Sequence, residues 1–466
     1  MAVETIGIPT VTFVCEGFRE NAKKVMENSG FPPLRLAVFP GHIDMYNDAD
    51  KREKLLIDVL PQVINLLTQP FTGKAEAQAE PGPREIVFKG TFEEVNEYFY
   101  KNQWTDGLPV VPPTLQKVEE FLKYTDRLPT EVLSVFMPSK RQATVWDVAV
   151  NGVMAGCRPE YLPVLIAVVE TIADRNYKHQ NSGSTPGWEG QIILNGPLAK
   201  QLGFDCKGAV MRPGVKANTS VGRFYRLFIR NLPRFLPGTT DQGTFGQSFR
   251  VVVAENEEFC AEIGWNPLHV VRGFKKADNV VTIMSIVHQM THLTQGDKAE
   301  EHLFWIGHYL TRENFPYRTL EKQTPLVFLS PVIAKVLAQG GYSKEKARDA
   351  LWNFARMPAK DFDKWLLENQ EKSKTTEPTY YSACEAVKGG KLPEYFCESD
   401  DPNRLIPILQ GPEEIQIVVT GDPGRNRSMV TRQNASQGYG TSKLIQLPAN
   451  WDRLMADLGY GPLEKR

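Results

Sequence analysis

The residues of this chain that could do chemistry are a small set of cysteines, one histidine among carboxylates, and several polar loops. Cys157 ends an apolar helix at Ala155-Gly156-Cys157-Arg158-Pro159, and Pro159 opens the next helix. A cation at Arg158 and the free amides of that helix would lower a thiol pKa and make a nucleophile. The alternative is a buried cysteine packing as a small hydrophobe. Cys15 stands at the carboxyl end of a strand and just before a helix, where open α/β sheets place ligands, with a structural role as its alternative. Cys206, Cys260, Cys384 and Cys397 show neither metal-ligand spacing nor a CxxC pair and read as structural. His269, in Asn266-Pro267-Leu268-His269-Val270, follows Glu255, Glu257 and Glu258 closely enough to suggest acid–base work or simple packing. Asp106-Gly107, ahead of Pro112-Pro113, makes a rigid loop that would hold a carboxylate toward a cavity, or a turn whose Asp bonds its own backbone.

Anion binding has its own candidates. Lys216-Ala217-Asn218-Thr219-Ser220 leads into a helix expected from about Ser220 to Asn231 that bears Arg223, Arg226 and Arg230. Asn218, Thr219 and Ser220 would cap its start, where unpaired amides attract a carboxylate or phosphate. Lys216 and Arg223 would complete the site, and an ordinary N-cap is the competing reading. Thr420-Gly421-Asp422-Pro423-Gly424-Arg425 lacks Walker spacing and reads as a turn leaving a sheet, with an anion-binding loop as the alternative. His288 and His292 would share a helix face, but no HExxH pattern or third ligand accompanies them. Asn181 to Trp188, Asn195-Gly196 and Thr239 to Gln247 are polar, Gly-bearing loops beside apolar elements, and together they suggest a ligand site in which Asn195 orients substrate.

These residues need elements to hold them. Thr10 to Val14 and Leu34 to Phe39 read as buried strands, alternating with helices from Phe18 and from Lys54 to Leu67. A two-stranded parallel unit of this kind cannot cover its own faces. The chain is therefore expected to open in the middle of a domain, over residues 1–70. Residues 71–84, polar and rich in Pro and Gly, read as a linker. Residues 85–466 read as a large, loop-rich domain. In it, Thr91-Phe92-Glu93-Glu94 fits a capping box ahead of a helix with Phe92, Val95, Tyr98 and Phe99 inward. Strands are expected at 85–88, 132–136, 191–194, 249–254, 280–286, 327–329 and 415–420. Helices are expected at 146–157, 159–172, 300–310, 331–338 and 344–357. The fold class is α/β, mixed α+β in the large domain.

Gly-Ile-Pro-Thr-Val before the first strand, Leu-Arg-Leu-Ala-Val-Phe-Pro in the second, and a helix ending Leu-Thr-Gln-Pro resemble the back half of the UGSC family of (seleno)proteins. In that family a Cys-Gly-Ser-Cys or Sec-Gly-Ser-Cys motif precedes this segment, and the motif does not occur in this chain. Asp106 to Thr114, Asn151 to Tyr161 and Asn195-Gly196-Pro197 resemble the large domain that often accompanies it. The resemblance implies a separate small subunit carrying the Cys-Gly-Ser-Cys half-domain, and a comparison with the thiol subunits of amino-acid reductases.

Bulk properties narrow the classes. A net charge of -1 over 466 residues argues against a general binder of nucleic acid or membrane surface. No signal peptide is evident, and six scattered cysteines are no disulfide framework, so a reducing cytoplasm is expected. The leading expectation is the large subunit of a cytoplasmic hetero-oligomeric enzyme acting on a small anionic substrate. Thiol or disulfide chemistry on a carbon–heteroatom bond would be shared with the partner's motif. A thiol-independent lyase or hydratase using His269 and Asp106, or a non-catalytic scaffold subunit, are the alternatives. No metal and no other cofactor is assigned.

Overall fold

A computed structural model describes residues 8–28, 35–70, 82, 84–246, 252–314, 319–370, 380–434 and 438–463. Most of the expected linker lies outside these residues, as do residues 249–251 of one expected strand.

The first unit pairs β1 (Thr12–Cys15) with β2 (Leu36–Phe39) in parallel, with Thr12 opposite Leu36 and Cys15 opposite Phe39. The helix Arg19–Asn28 joins them. After β2 the chain is helical from Asp48 to Thr68, with Asn47 capping Asp50 and a π-turn at Leu55–Val59. Pro61 explains the widened turn. It has no N–H to give the carbonyl four residues back, and Leu60 bonds Leu55 instead. Ala37, Phe39 and Val59 form this unit's small core. The outer face stays apolar: Leu56, Ile57, Leu60, Ile64 and Leu67 are between 40 and 63 % exposed.

The large domain begins with the helix Phe92–Lys101, whose capping box is formed as expected, Thr91 N donating to Glu94 Oε2 at 2.8 Å. Phe99 is buried, whereas Phe92 points out. Residues 85–88 form no strand, and Phe88 instead stacks on Tyr98 at 4.6 Å. A hairpin of β3 (Val132–Phe136) and β4 (Arg141–Thr144) follows. Next come β5 (Glu189–Asn195), β6 (Val252–Ala254), β7 (Val280–Leu293) and β8 (Leu326–Leu329). A short antiparallel pair, β9 (Arg356–Pro358) and β10 (Leu405–Pro407), precedes β11 (Gln416–Val419), β12 (Arg427–Gln433) and β13 (Thr441–Leu444).

The main sheet has the order β11-β8-β12-β7-β5-β6, with β13 added beside β7. β7 is the backbone of the arrangement. Its first half pairs with β5 and β13, and its second half with β12. The sheet curls until its two edges touch: Asn256 N donates to Val419 O at 2.8 Å and Thr420 Oγ1 to Ala254 O at 2.9 Å.

The period of two along each strand divides the side chains between core layers. Ile193, Val253, Met284, Ile286, Leu326, Phe328 and Val418 meet inside the curl. Ile192, Leu194, Val252, Val281 and Ile283 face helices Val145–Ala155, Leu162–Ala173 and Lys216–Asn231. Val327, Leu329, Ile417 and Val419 face helices Ala299–Glu313, Pro331–Gln339 and Lys344–Phe354. Strands covered on both faces read as continuous apolar runs, which is why 327–329 and 415–420 were recognisable.

Candidate functional site

The polar centre of the molecule lies where the sheet's edges meet. Glu255 follows β6 directly, and its carboxylate is fully buried. It accepts hydrogen bonds from Asn195 Nδ2 (2.8 Å), Leu268 N (2.6 Å), Lys344 Nζ (2.9 Å) and Val419 N (3.3 Å). One side chain thus joins β5, β6, β11 and two helices. Lys344 is itself 2 % exposed, so the pair is desolvated and each charge depends on the other. Cys260 Sγ lies 3.7 Å from the same carboxylate, and burial together with that negative charge pushes its thiol well up.

Glu257 forms the second half of the centre. Its Oε1 accepts from Asn195 Nδ2 at 3.0 Å and from Gly196 N at 2.6 Å. Gly196 has φ +99°, and a Cβ there would lie 2.5 Å from Asp278 O, so only glycine fits the turn that aims its N–H at Glu257. His269 Nδ1 lies 3.7 Å from Glu257 Oε1, too far for a hydrogen bond. The ring is fully buried, and neither nitrogen has a hydrogen-bond partner among the described residues. Asn195 Oδ1 is likewise buried without one. Two carboxylates, an amide, an ammonium and an imidazole with open nitrogens therefore converge on one end of the curled sheet. Such a set can hold and move a proton. Among the described residues no group of three or more His, Cys, Asp or Glu side chains is placed to hold a metal ion.

A second polar cluster surrounds Cys157. Asp106 and Arg223 form a bidentate pair, Nε to Oδ2 at 3.1 Å and Nη2 to Oδ1 at 2.9 Å. Arg223 Nη2 also donates to Pro109 O at 2.9 Å, which fixes the Pro-rich loop onto the helix Lys216–Asn231. Burial pushes the Cys157 thiol up to about 12, while a hydrogen bond with Ser220 and the charges of Lys216 and Arg223 pull the other way. The desolvation wins, which keeps Cys157 a thiol at neutral pH. Arg158, expected to activate it, turns away to the Tyr460 hydroxyl at 2.7 Å.

Several expected placements change. The helix begins at Lys216, not Ser220, with Val215 at its cap and no capping side chain. Asn218, Thr219 and Ser220 therefore lie within its first turns. Asn218 accepts from Asp205 N at 2.8 Å and donates to Val252 O at 2.7 Å, tying helix to sheet. Thr219 Oγ1 accepts from Gly214 N, and Ser220 Oγ donates to Lys216 O. His269 and Asp106 are not neighbours, and the carboxylate beside His269 is Glu257. His288 and His292 lie on β7, a strand, with His288 against Glu313 at 2.8 Å and His292 stacked on Tyr309 at 3.7 Å. The loops 181–188 and 239–246 bond each other, Gln242 N to Gly183 O and Thr244 N to Thr185 O. Cys15 lies in the small unit, half-buried at the end of β1. Cys384 and Cys397, read as structural residues outside any disulfide framework, are joined in a disulfide.

Sequence reasoning missed Lys344. Nothing marks a lysine at the start of an amphipathic helix as buried, and its partner, just past the end of β6, lies far away in the sequence. Glu255 and Glu257 did carry a signal, as carboxylates directly after an apolar strand.

Residues 1–69 match the model of the UGSC family, so the first unit is a UGSC-family segment joined to a large domain. No curated protein and no solved structure matches the chain. No helix among the described residues is long and apolar enough to cross a membrane.

Proposed function

We propose that this chain is a subunit of a heteromeric enzyme acting on a small anionic substrate, with a partner chain supplying a Cys-Gly-Ser-Cys half-domain to the UGSC-family unit. The observation that carries the reading is the apolar face of the helix through residues 56–67, beside a parallel sheet of two strands. Because these five side chains are already half-buried, covering each would contribute roughly 0.7–1.5 kcal/mol, enough together to favour a specific partner over solvent. Of the thiols expected to take part, Cys15 suits the role better than Cys157. It is half-buried at the carboxyl end of a parallel strand, where a completed α/β sheet would place its ligands. An anionic substrate is supported by Lys216, exposed at the uncapped amino end of a sixteen-residue helix.

The test is co-expression with a small protein bearing the Cys-Gly-Ser-Cys segment, followed by size-exclusion chromatography with light scattering. A stable complex, lost in Ile57→Lys/Ile64→Lys, is expected. A well-folded chain that stays monomeric beside such a partner and exposes no dye-binding surface would sink the reading.

The open nitrogens of His269 beside Glu257 favour a second reading, thiol-independent acid–base chemistry at the sheet closure, with Glu257 in the place first given to Asp106. Turnover that survives Cys15→Ser but loses its pH dependence in His269→Asn would select it.

A further inference from the structure

The disulfide between Cys384 and Cys397 lies in the large domain, between the helix Ala383–Lys388 and the chain leading to β10. Both residues are half-buried. Arg404 Nη2 lies 3.2 Å from Cys384 Sγ and also donates to Phe396 O at 3.2 Å, while Nη1 donates to Asp401 O at 3.1 Å. Its Nε is buried with no partner, and among the described residues no carboxylate lies within ion-pair distance of this guanidinium. A cation is thus placed against one sulfur of the pair, and the carboxyl of Asp363 feels its charge without forming a direct ion pair with it. The segment is held by packing as well as by the bond. Ala383, Ala386, Leu392 and Phe396 are buried in the core behind it, and the bridge spans only 13 residues.

We propose that Cys384 and Cys397 form a redox-active couple that exchanges with an external dithiol, Arg404 holding Cys384 as its thiolate. In the reducing direction a thiolate of the dithiol attacks Cys397 Sγ, and the bond to Cys384 breaks with the electron pair leaving on Cys384, beside Arg404. The second thiol of the reductant then attacks the mixed disulfide, closing its own disulfide and releasing Cys397, which takes up a proton. Two electrons pass from the dithiol to the couple, and the reverse sequence returns them. Asp363 on the neighbouring helix, whose carboxyl burial holds above its usual range, and Glu385, Glu394 and Glu398 near the two cysteines oppose a thiolate. The guanidinium outweighs them because it touches the sulfur and Coulomb energy falls with distance.

The full chain is equilibrated in buffers of reduced and oxidised dithiothreitol, trapped with an alkylating agent and read by mass spectrometry of its peptides. Reversible interconversion of this pair in the folded protein is expected. In Cys397→Ser the alkylation midpoint of Cys384 should lie about one pH unit lower than when Arg404→Gln is added. Arg404→Gln alone should shift the equilibrium about tenfold toward the disulfide, some 30 mV for two electrons, and Arg404→Lys should restore most of it. Circular dichroism reports whether each variant is folded. A pair reduced only when the chain unfolds, a pair that never bonds in oxidised dithiothreitol, or a midpoint indifferent to residue 404 would each overturn the proposal.

Discussion

Lys344 and Glu255 show what a buried charge pair demands of its surroundings. Removing one partner leaves the other desolvated and uncompensated, which costs about 3–5 kcal/mol. Lys344→Met should lower stability by that order in urea titration, and adding Glu255→Gln should recover part of it. A neutral effect of the single substitution would mean that water reaches the pair. Two other buried groups set opposing pH slopes. Burial raises the Glu414 carboxyl to about 7 against the amides of Gln323, Gln410 and Gly411. Between its unfolded value of 4.5 and about 7 the unfolded chain has lost this proton and the folded one keeps it, so stability falls as pH rises. Burial lowers His179 to about 4 from 6.5, its Nε2 accepting from Met137 N at 3.0 Å. Here the unfolded chain binds the extra proton, and stability falls as pH drops through that window. The two contributions offset each other from about pH 4.5 to 6.5. Relative to the native chain, Glu414→Gln should therefore gain about 3 kcal/mol between pH 4.5 and 8, read from denaturation at each pH. A constant difference would refute the assignment. At this scale the sequence disclosed residue types but not their partners. Asn195 and His269 were visible as polar residues in apolar surroundings, yet the convergence with Lys344 depends on how the sheet curls.

Elements were legible where burial and period agreed. The apolar helices Val145–Ala155 and Leu162–Ala173 and the strands β5, β8 and β11 appear close to where their patterns place them. β12 and β13 were missed, because Arg427-Ser-Met-Val-Thr-Arg-Gln and Thr441-Ser-Lys-Leu carry polar residues that pairing accommodates, β12 between β7 and β8 and β13 beside β7. The second half of β7 was missed for the same reason, its histidines and glutamine suggesting a helix face. The helix at Lys216 starts early because a lysine and an alanine are good helix formers, while the capping residues that marked a later start are used inside it. The paired loops 181–188 and 239–246 allow a sharp test. A Cβ on Gly183 would run into the Thr240 carbonyl oxygen and the Phe235 ring. Gly183→Ala should cost about 1–3 kcal/mol and raise proteolysis at both loops together. Cleavage confined to one of them would show that they do not act as a unit.

On the scale of the whole molecule, the UGSC-family unit and the large domain present different surfaces. The large domain buries both faces of its sheet except along the second half of β7 and the end of β13, whereas the small unit leaves an apolar helix face in water, a condition that normally marks an interaction site. Ile57→Lys/Ile64→Lys should leave the chain's own melting temperature within about 1 °C, since surface changes move stability little, while abolishing assembly with the proposed partner. A large fall in melting temperature would mean that this face is covered within the chain. What the sequence made legible here is the parallel pair itself, through two β-branched and apolar runs separated by helical patterns.

The fourteen-residue ribbon of β7 serves both sides of the curled sheet at once. Neither side keeps its pairing without it. A gene fragment ending before residue 280 would make a half-shell with raw backbone along its rim, and one starting after residue 293 would make another. Amide protons along that ribbon should therefore be among the last to trade with deuterated solvent.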